Sequence, residues 1–325
     1  MASPFLLLLL LIPLCLLVLF LALSFLARPK SVRIPIKNRH VLITGGSSGI
    51  GLALAKAAAA QGAHVSILAR NAKRLEEARE EIKLATGHMA RVLVADVRDP
   101  QAVAQALEEV GPVDVLVCNQ GVFVPMELEK QDLEEAKFMI DVNLMGTFHL
   151  IKAALPGMKS RARETGLPAS IAIMSSQAGQ VGVYGYTAYS ASKFALRGLA
   201  ESLQQEVIAH NIHVSMIFPP DTATPGLAEE QKKRPELTTI IAGSSGEMKA
   251  EDVAKKALDG LKEGQFIIPC NFDGTMLAIA TAGLSPQRSA VTALFEVLGA
   301  GFMRFVGIGF QWNWYSTIQN WHAKR

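Results

Sequence analysis

The sequence predicts an α/β protein with a doubly wound parallel sheet, and three observations carry that reading. The short runs His40–Thr44, His64–Leu68, Val113–Val117, Ile171–Met174 and His213–Phe218 are dominated by apolar residues on both faces. Strands that bury both faces belong to a parallel sheet covered on each side. Segments of helix-forming composition alternate with these runs, as βαβ winding requires. A glycine-rich turn separates the first strand of the series from its first helix.

Half of the 325 residues are apolar, and the excess is concentrated at the two ends. Phe5 to Ala27 carry no charge and are mostly leucine, with Pro13 inside the run. That length is sufficient to cross a bilayer core as a helix. Arg28, Lys30, Arg33, Lys37 and Arg39 follow, and nothing basic precedes. The positive-inside tendency then leaves the folded part in the cytosol. A cleaved signal peptide is the alternative, but its basic leader is missing and the run is long for one. The three cysteines have no metal-like spacing and imply no disulfide framework. The net charge of +3 is nearly balanced and the basic residues are scattered, which excludes a nucleic-acid partner.

After the strand His40–Thr44 comes Gly45-Gly46-Ser47-Ser48-Gly49-Ile50-Gly51, then a helix over Leu52–Gln61. A glycine loop at a helix N-terminus lets backbone N–H groups approach a phosphate. Strand, loop and helix in this order mark a Rossmann-type dinucleotide site. The next strand, His64–Leu68, ends in Ala69-Arg70-Asn71 with Lys73 and Arg74 behind it. An NAD site wants an acidic side chain there for the ribose 2′-hydroxyl. Arg70 and Lys73 suit the 2′-phosphate of NADP instead; the alternative is the solvated start of the helix Ala72–Leu84. Arg91–Ala95 is a third strand closing on Asp96-Val97, whose carboxylate can accept from an adenine amino group. Helix Val103–Val110, strand Val113–Val117 and the turn Asn119-Gln120-Gly121 follow. Leu133–Ala154 reads as one long helix with Asn143 inside it, where an asparagine is a mediocre helix former that needs work for its amide. The polar stretch 227–250 reads as a mobile lid, Ala250–Gly260 as helix and Gln265–Pro269 as the last strand.

Residues 175 to 193, SSQAGQVGVYGYTAYSASK, hold the chemistry. Tyr189 and Lys193 are four apart and share a helical face with Leu196, Leu199, Leu203 and Val207. An ammonium beside a phenol favours the phenolate, so Lys193 is expected to lower the Tyr189 pKa. Ser175 and Ser176 close the strand Ile171–Met174, and Ser176 lies thirteen residues before Tyr189. A strand-end hydroxyl facing a helix-start phenol can clamp one substrate oxygen. The spacing favours Ser176, with Ser175 adjacent.

Thr44-Gly-Gly-Ser-Ser-Gly-Ile-Gly51, Asp96, Asn119-Gln-Gly121, Asn143, Ser176, Tyr189 and Lys193 together resemble the short-chain dehydrogenase/reductase superfamily over residues 40 to about 270. One departure is visible: Cys118-Asn119-Gln120-Gly121 stands where the family has Asn-Asn-Ala-Gly, which puts the packing beside the adenosine in doubt. The string running from Ser175 to Val207, and PPDTATPG at 219–226, are similar to the 3-ketodihydrosphingosine (3-dehydrosphinganine) reductases. So is the order of anchor, enzyme and hydrophobic tail.

The resemblance implies NADPH-dependent reduction of a long-chain sphingoid ketone at the cytosolic face of the endoplasmic reticulum membrane. Tyr189 would donate the proton, Ser176 would hold the same oxygen, Lys193 would lower the tyrosine pKa and hold the nicotinamide ribose, and Asn143 would hold a water. Thr224 would meet the carboxamide, with Thr222 as the alternative. The expected units are an anchor over 1–30, an NADP-binding domain over 38–270 and a hydrophobic tail over 271–325. In the tail, Thr275–Leu284 and Ala290–Phe310 are apolar, the second interrupted by Glu296 and Arg304, and Trp312, Trp314, Tyr315 and Trp321 follow. Aromatics beside apolar helices suit a membrane interface; a homo-oligomer contact is the other use of such a surface. A membrane-anchored hydroxysteroid or retinol dehydrogenase is the rival activity, and a non-catalytic NADP-binding scaffold the rival class.

Overall fold

The computed structural model describes residues 4–27, 32–243 and 246–324, with backbone alone for 4–10. Arg28 and Lys30 of the basic flank, and Ser244 and Ser245 of the expected lid, lie outside the described residues. The chain opens with α1 (Pro4–Ala27) and enters the sheet with β1 (His40–Thr44), α2 (Gly49–Ala60), β2 (His64–Ala69), α3 (Ala72–Thr86) and β3 (Arg91–Val94). Then come α4 (Pro100–Val110), β4 (Val115–Cys118), α5 (Leu133–Ile140), a π-helical turn (Asp141–Met145) and α6 (Gly146–Thr165). The second half adds β5 (Ala169–Met174), α7 (Thr187–Val207), β6 (Ile212–Phe218), β7 (Thr222–Ala223), α8 (Pro225–Gln231), α9 (Glu236–Ala242), β8 (Met248–Lys249), α10 (Ala250–Lys262) and β9 (Ile267–Pro269). The chain closes with α11 (Phe272–Ala280) and α12 (Ala290–Ala323).

Seven strands pair in the order β3-β2-β1-β4-β5-β6-β9, every neighbour parallel. β4, β5 and β6 are buried at every position, so both faces must be covered. One face is packed by a core that includes Val103, Leu107, Leu150, Met158, Leu196 and Leu203. The other takes Leu54, Ala58, Leu75, Ile82, Val253 and Leu261. The sheet is the doubly wound parallel one expected. Its strand order reverses between β1 and β4, and the crevice at the carboxyl ends beside that reversal is where such sheets bind ligands.

Three local readings change. The long helix at Asn143 is not regular: five residues take a π-helical turn between α5 and α6. π-turns occur mostly where function tolerates their cost, and this one swings Asn143 onto α7. The stretch 227–250 is partly ordered by α8 and α9, with Thr224 capping α8 by accepting from Leu227 N. The tail's charges do not break its helix, because α12 runs 34 residues through the aromatic cluster and Glu296 accepts from Gln287.

Candidate active site

The carboxyl ends of the central strands open onto a cavity of about 740 Å³. Gly45, Ser47, Ser48, Gly49 and Ile50 form one wall at the N-terminus of α2, whose helix dipole favours an anion there. Gly45 has φ +62°, in the left-handed region that favours glycine. Gly51 does not line the cavity but makes the turn fit: a Cβ on it would sit 2.3 Å from the Gly45 carbonyl oxygen. Asn119 Nδ2 donates to the Thr44 carbonyl (3.0 Å) and holds the loop to β4.

At the end of β2 the cavity meets Arg70, Asn71 and Arg74. Asn71 caps α3 by accepting from Arg74 N, which sets the helix register. That register places Arg74 at the cavity and leaves Lys73 exposed and outside its lining. Lys73 is therefore not brought to the site, whereas Arg74 is. Asp96 and Val97 line the floor. The Asp96 carboxylate is gripped by Arg98 through its backbone N (3.0 Å), Nε (3.1 Å) and Nη2 (2.7 Å), and these contacts lower its pKa.

Gln120 resolves the visible departure from the family pattern. Its amide turns into the core, accepting from Thr44 Oγ1 (2.5 Å) and donating to Thr147 Oγ1 (2.9 Å). Gly121 keeps open space between two site residues: a Cβ there would lie 3.5 Å from Lys193 Nζ and 3.7 Å from Asn143 Oδ1.

Ser175, Ser176, Tyr189 and Lys193 meet at the inner end of the cavity. Tyr189 sits in the first turn of α7. Lys193 is buried, with Nζ donating to the Met174 carbonyl (2.9 Å) and lying 5.7 Å from the Tyr189 ring centroid. Asn143 is fully buried; Nδ2 donates to Val122 O (2.9 Å) and Ser192 Oγ (2.9 Å), and Oδ1 accepts from Val122 N (2.8 Å). Ser192 Oγ donates to Tyr189 O (2.7 Å), so the π-turn is fastened to the turn that carries the phenol. The two serines separate by role. Ser175 donates to the Lys193 carbonyl (3.2 Å), while Ser176 faces the Tyr189 phenol.

The expected lowering of the Tyr189 pKa does not arise from these side chains. Burial pushes the phenol up to about 12, Ser176 pulls the other way, and the charges of Asp221 and Glu230 add to the rise. Lys193 is itself held down to about 8, because burial disfavours its charge. Desolvation outweighs the pairing that the spacing suggested.

The expected Thr222 and Thr224 stand on the outer wall, whereas its aromatic and charged members belong to no motif in the sequence. Thr222 donates to Pro220 O (2.9 Å), and Thr224, Leu227 and Glu229 line the cavity with it. Phe123 and Tyr186 flank Tyr189 with ring centroids 5.6 and 5.5 Å away. Tyr186 OH donates to Glu230 (2.8 Å), and Arg234 binds Glu230 and Asp221 together. The only sequence signal was a tyrosine three before Tyr189.

The family model described as short chain dehydrogenase matches residues 39–235. The chain is 60% identical over 306 residues to the 3-dehydrosphinganine reductase TSC10B of Arabidopsis thaliana, covering 94% of this chain and 92% of that protein. It is 36% identical over 293 residues to the 3-ketodihydrosphingosine reductase of Mus musculus, covering 88% and 86%. Among solved structures, the L-sorbose reductase of Gluconobacter frateurii complexed with NADPH and L-sorbose superposes with TM-score 0.64 at 26% identity, over 74% of this chain and 98% of that one.

Proposed function

The chain belongs to the short-chain dehydrogenase family, and from that premise we propose that it reduces 3-dehydrosphinganine to sphinganine with NADPH at the endoplasmic reticulum membrane. The observation that carries the reading is the meeting of Ser176, Tyr189 and Lys193 beside the glycine loop, in a chain 60% identical to a 3-dehydrosphinganine reductase.

The cavity fits a nicotinamide dinucleotide. The glycine cradle at the α2 N-terminus, where a Cβ on Gly51 would collide, accepts a pyrophosphate. Arg70 and Arg74 at the β2 end supply charge for a 2′-phosphate, which favours NADPH. Asp96 and Val97 would hold the adenine, and Thr222 and Thr224 the carboxamide end. When bound, the cofactor supplies a hydride to the ketone carbon, and one proton on the oxygen completes the alcohol.

The chain's own groups handle that oxygen. Tyr189 gives it the proton, and Ser176 hydrogen-bonds it as negative charge builds there. In its ammonium form Lys193 would stabilise the phenolate left behind, against the burial that pulls its own pKa down to about 8. Asn143 acts through backbone, fixing Val122 and α7; a water passing protons toward Lys193 would use its remaining acceptor positions. Phe123, Tyr186 and Leu227 keep bulk water from the reacting carbon.

Lipid chemistry suits the ends of the chain. α1 spans roughly 36 Å at about 1.5 Å per residue, enough for a hydrocarbon core of about 30 Å. α12 lies against it and exposes Phe295, Phe302, Phe305, Trp312 and Tyr315. These features support a domain held at the membrane, where a long-chain substrate would stay, and the basic residues after the first apolar run favour its facing the cytosol. A hydroxysteroid or retinol activity has no observation in its favour. Turnover of a ketone panel with NADPH and NADH tests the reading; preference for steroid or retinoid, or for NADH, would contradict it.

A further inference from the structure

We propose that Asp221 is the subsite for a cationic amine on the carbon next to the reacting ketone, and so sets substrate specificity. The inference rests on the reductase reading above, since 3-dehydrosphinganine is a 2-amino-3-ketone whose ammonium stands one bond from the carbon that is reduced.

Asp221 leaves β6 at the inner end of the cavity and lines it. Its carbonyl accepts from Met248 N (2.9 Å), which pins the turn. Its Oδ2 accepts from Arg234 Nη1 (2.7 Å), while Oδ1 has no partner among the described residues. The side chain is 35% exposed, against 1% for neighbouring Glu230. Glu230 has no such capacity: Tyr186 OH (2.8 Å) and Arg234 Nε (2.9 Å to each oxygen) hold it. Two carboxylates thus share one guanidinium, and a net negative charge remains on the wall. Tyr186 cannot add to it or absorb it, because burial and Glu230 keep its phenol protonated.

That residual charge lines the same cavity as Tyr189 and is separated from it by the Tyr186 ring. Arg234 lies 5.7 Å from the Tyr186 ring centroid, and the Tyr186 ring packs 5.5 Å from that of Tyr189. The other carboxylates lining the cavity are poorer candidates. Asp96 is held by Arg98 at the far end, and Glu229 is 73% exposed and paired with Lys232. Asp221 also raises the Tyr189 pKa, so an ammonium seated on it would remove that opposition as the substrate arrives. Binding the right substrate would then ease proton loss from the phenol, which a neutral ketone would not do.

A charge-assisted hydrogen bond of this kind corresponds to roughly tenfold to a hundredfold in kcat/KM. The test compares 3-dehydrosphinganine with the same long-chain 1-hydroxy-3-ketone lacking the amine, in detergent with NADPH, for the parent chain and Asp221→Asn. The parent is expected to prefer the amino ketone by that factor, and Asp221→Asn to collapse the preference to about twofold. A parent indifferent to the amine, or a variant that loses activity on both ketones equally and keeps the preference, would overturn the proposal. Should Asp221→Asn not fold, Asp221→Ser takes its place in the same comparison with the same expectation, and a parent indifferent to the amine still overturns the proposal. A parent that reduces neither ketone would overturn the reductase reading itself, which is a different failure.

Discussion

Ser175 donates its hydroxyl to the Lys193 carbonyl, 3.2 Å away, across the join between β5 and α7. The contact is so close that a Cβ on Gly179 would fall 2.4 Å from Ser175 Oγ and 2.9 Å from that carbonyl. Adjacent serines therefore do different work: Ser175 positions the helix, and Ser176 meets the reacting oxygen. Ser176→Ala is expected to lower kcat by about a hundredfold or more, as loss of an oxyanion donor does. Ser175→Ala is expected to cost about 1 kcal/mol of stability, as loss of one buried hydrogen bond does. Steady-state kinetics with denaturant titration of both variants checks the division.

Burial lowers the Lys193 pKa from 10.5 to about 8. The unfolded chain therefore binds more protons than the folded one between these values, and stability rises with pH through that window. The stability Lys193 confers is present above pH 10.5 and is lost as pH falls through about 8. Tyr189, raised from 10.0 to about 12, works in the opposite direction above pH 10. Between pH 8 and 10 the parent's denaturation midpoint should climb, and Lys193→Met should flatten that rise.

Arg70 and Arg74 line the cavity and Lys73 does not. Arg74→Ala is expected to weaken NADPH roughly tenfold relative to NADH, consistent with about 1.5–3 kcal/mol for a charged contact. Lys73→Ala should leave the ratio within about twofold, since its side chain lies outside the cavity lining. Cofactor titration by fluorescence reads both.

How far the sequence carried the structure is clearest at these residues. Strands buried on both faces, and a glycine loop between strand and helix, follow from local composition, so the sheet and the cofactor crevice were legible. The meeting of Ser176, Tyr189 and Lys193 followed from spacing. Lys73 was misplaced because one residue of helical register, set by the Asn71 cap, decides which base faces inward. The π-turn at Asn143 was not legible, since the extra residue is fixed by bonds to Val122 and Ser192, distant in sequence. The Tyr189 pKa went the other way because spacing reports a neighbour and not the loss of water around it. The Tyr186–Glu230–Arg234–Asp221 cluster joins residues from three segments that no local pattern links.

The tail is clasped to the helix that carries the phenol. Arg197 on α7 donates to the carbonyls of Thr281 and Ala282 and to Ser285 Oγ, and it pairs with Glu201. Arg197→Ala should cost about 2 kcal/mol, as loss of half-buried hydrogen bonds from a charged group does. It should also expose residues 281–289 to protease, with Arg197→Lys recovering part of the loss. Limited proteolysis alongside a thermal melt tests this.

The most direct measurement is NADPH consumption by detergent-purified protein given 3-dehydrosphinganine, with Tyr189→Phe assayed beside the parent. Turnover by the parent, and none by a variant that still binds NADPH, is the expected result. Undiminished turnover by Tyr189→Phe, or a silent parent that binds NADPH, would contradict the central claim.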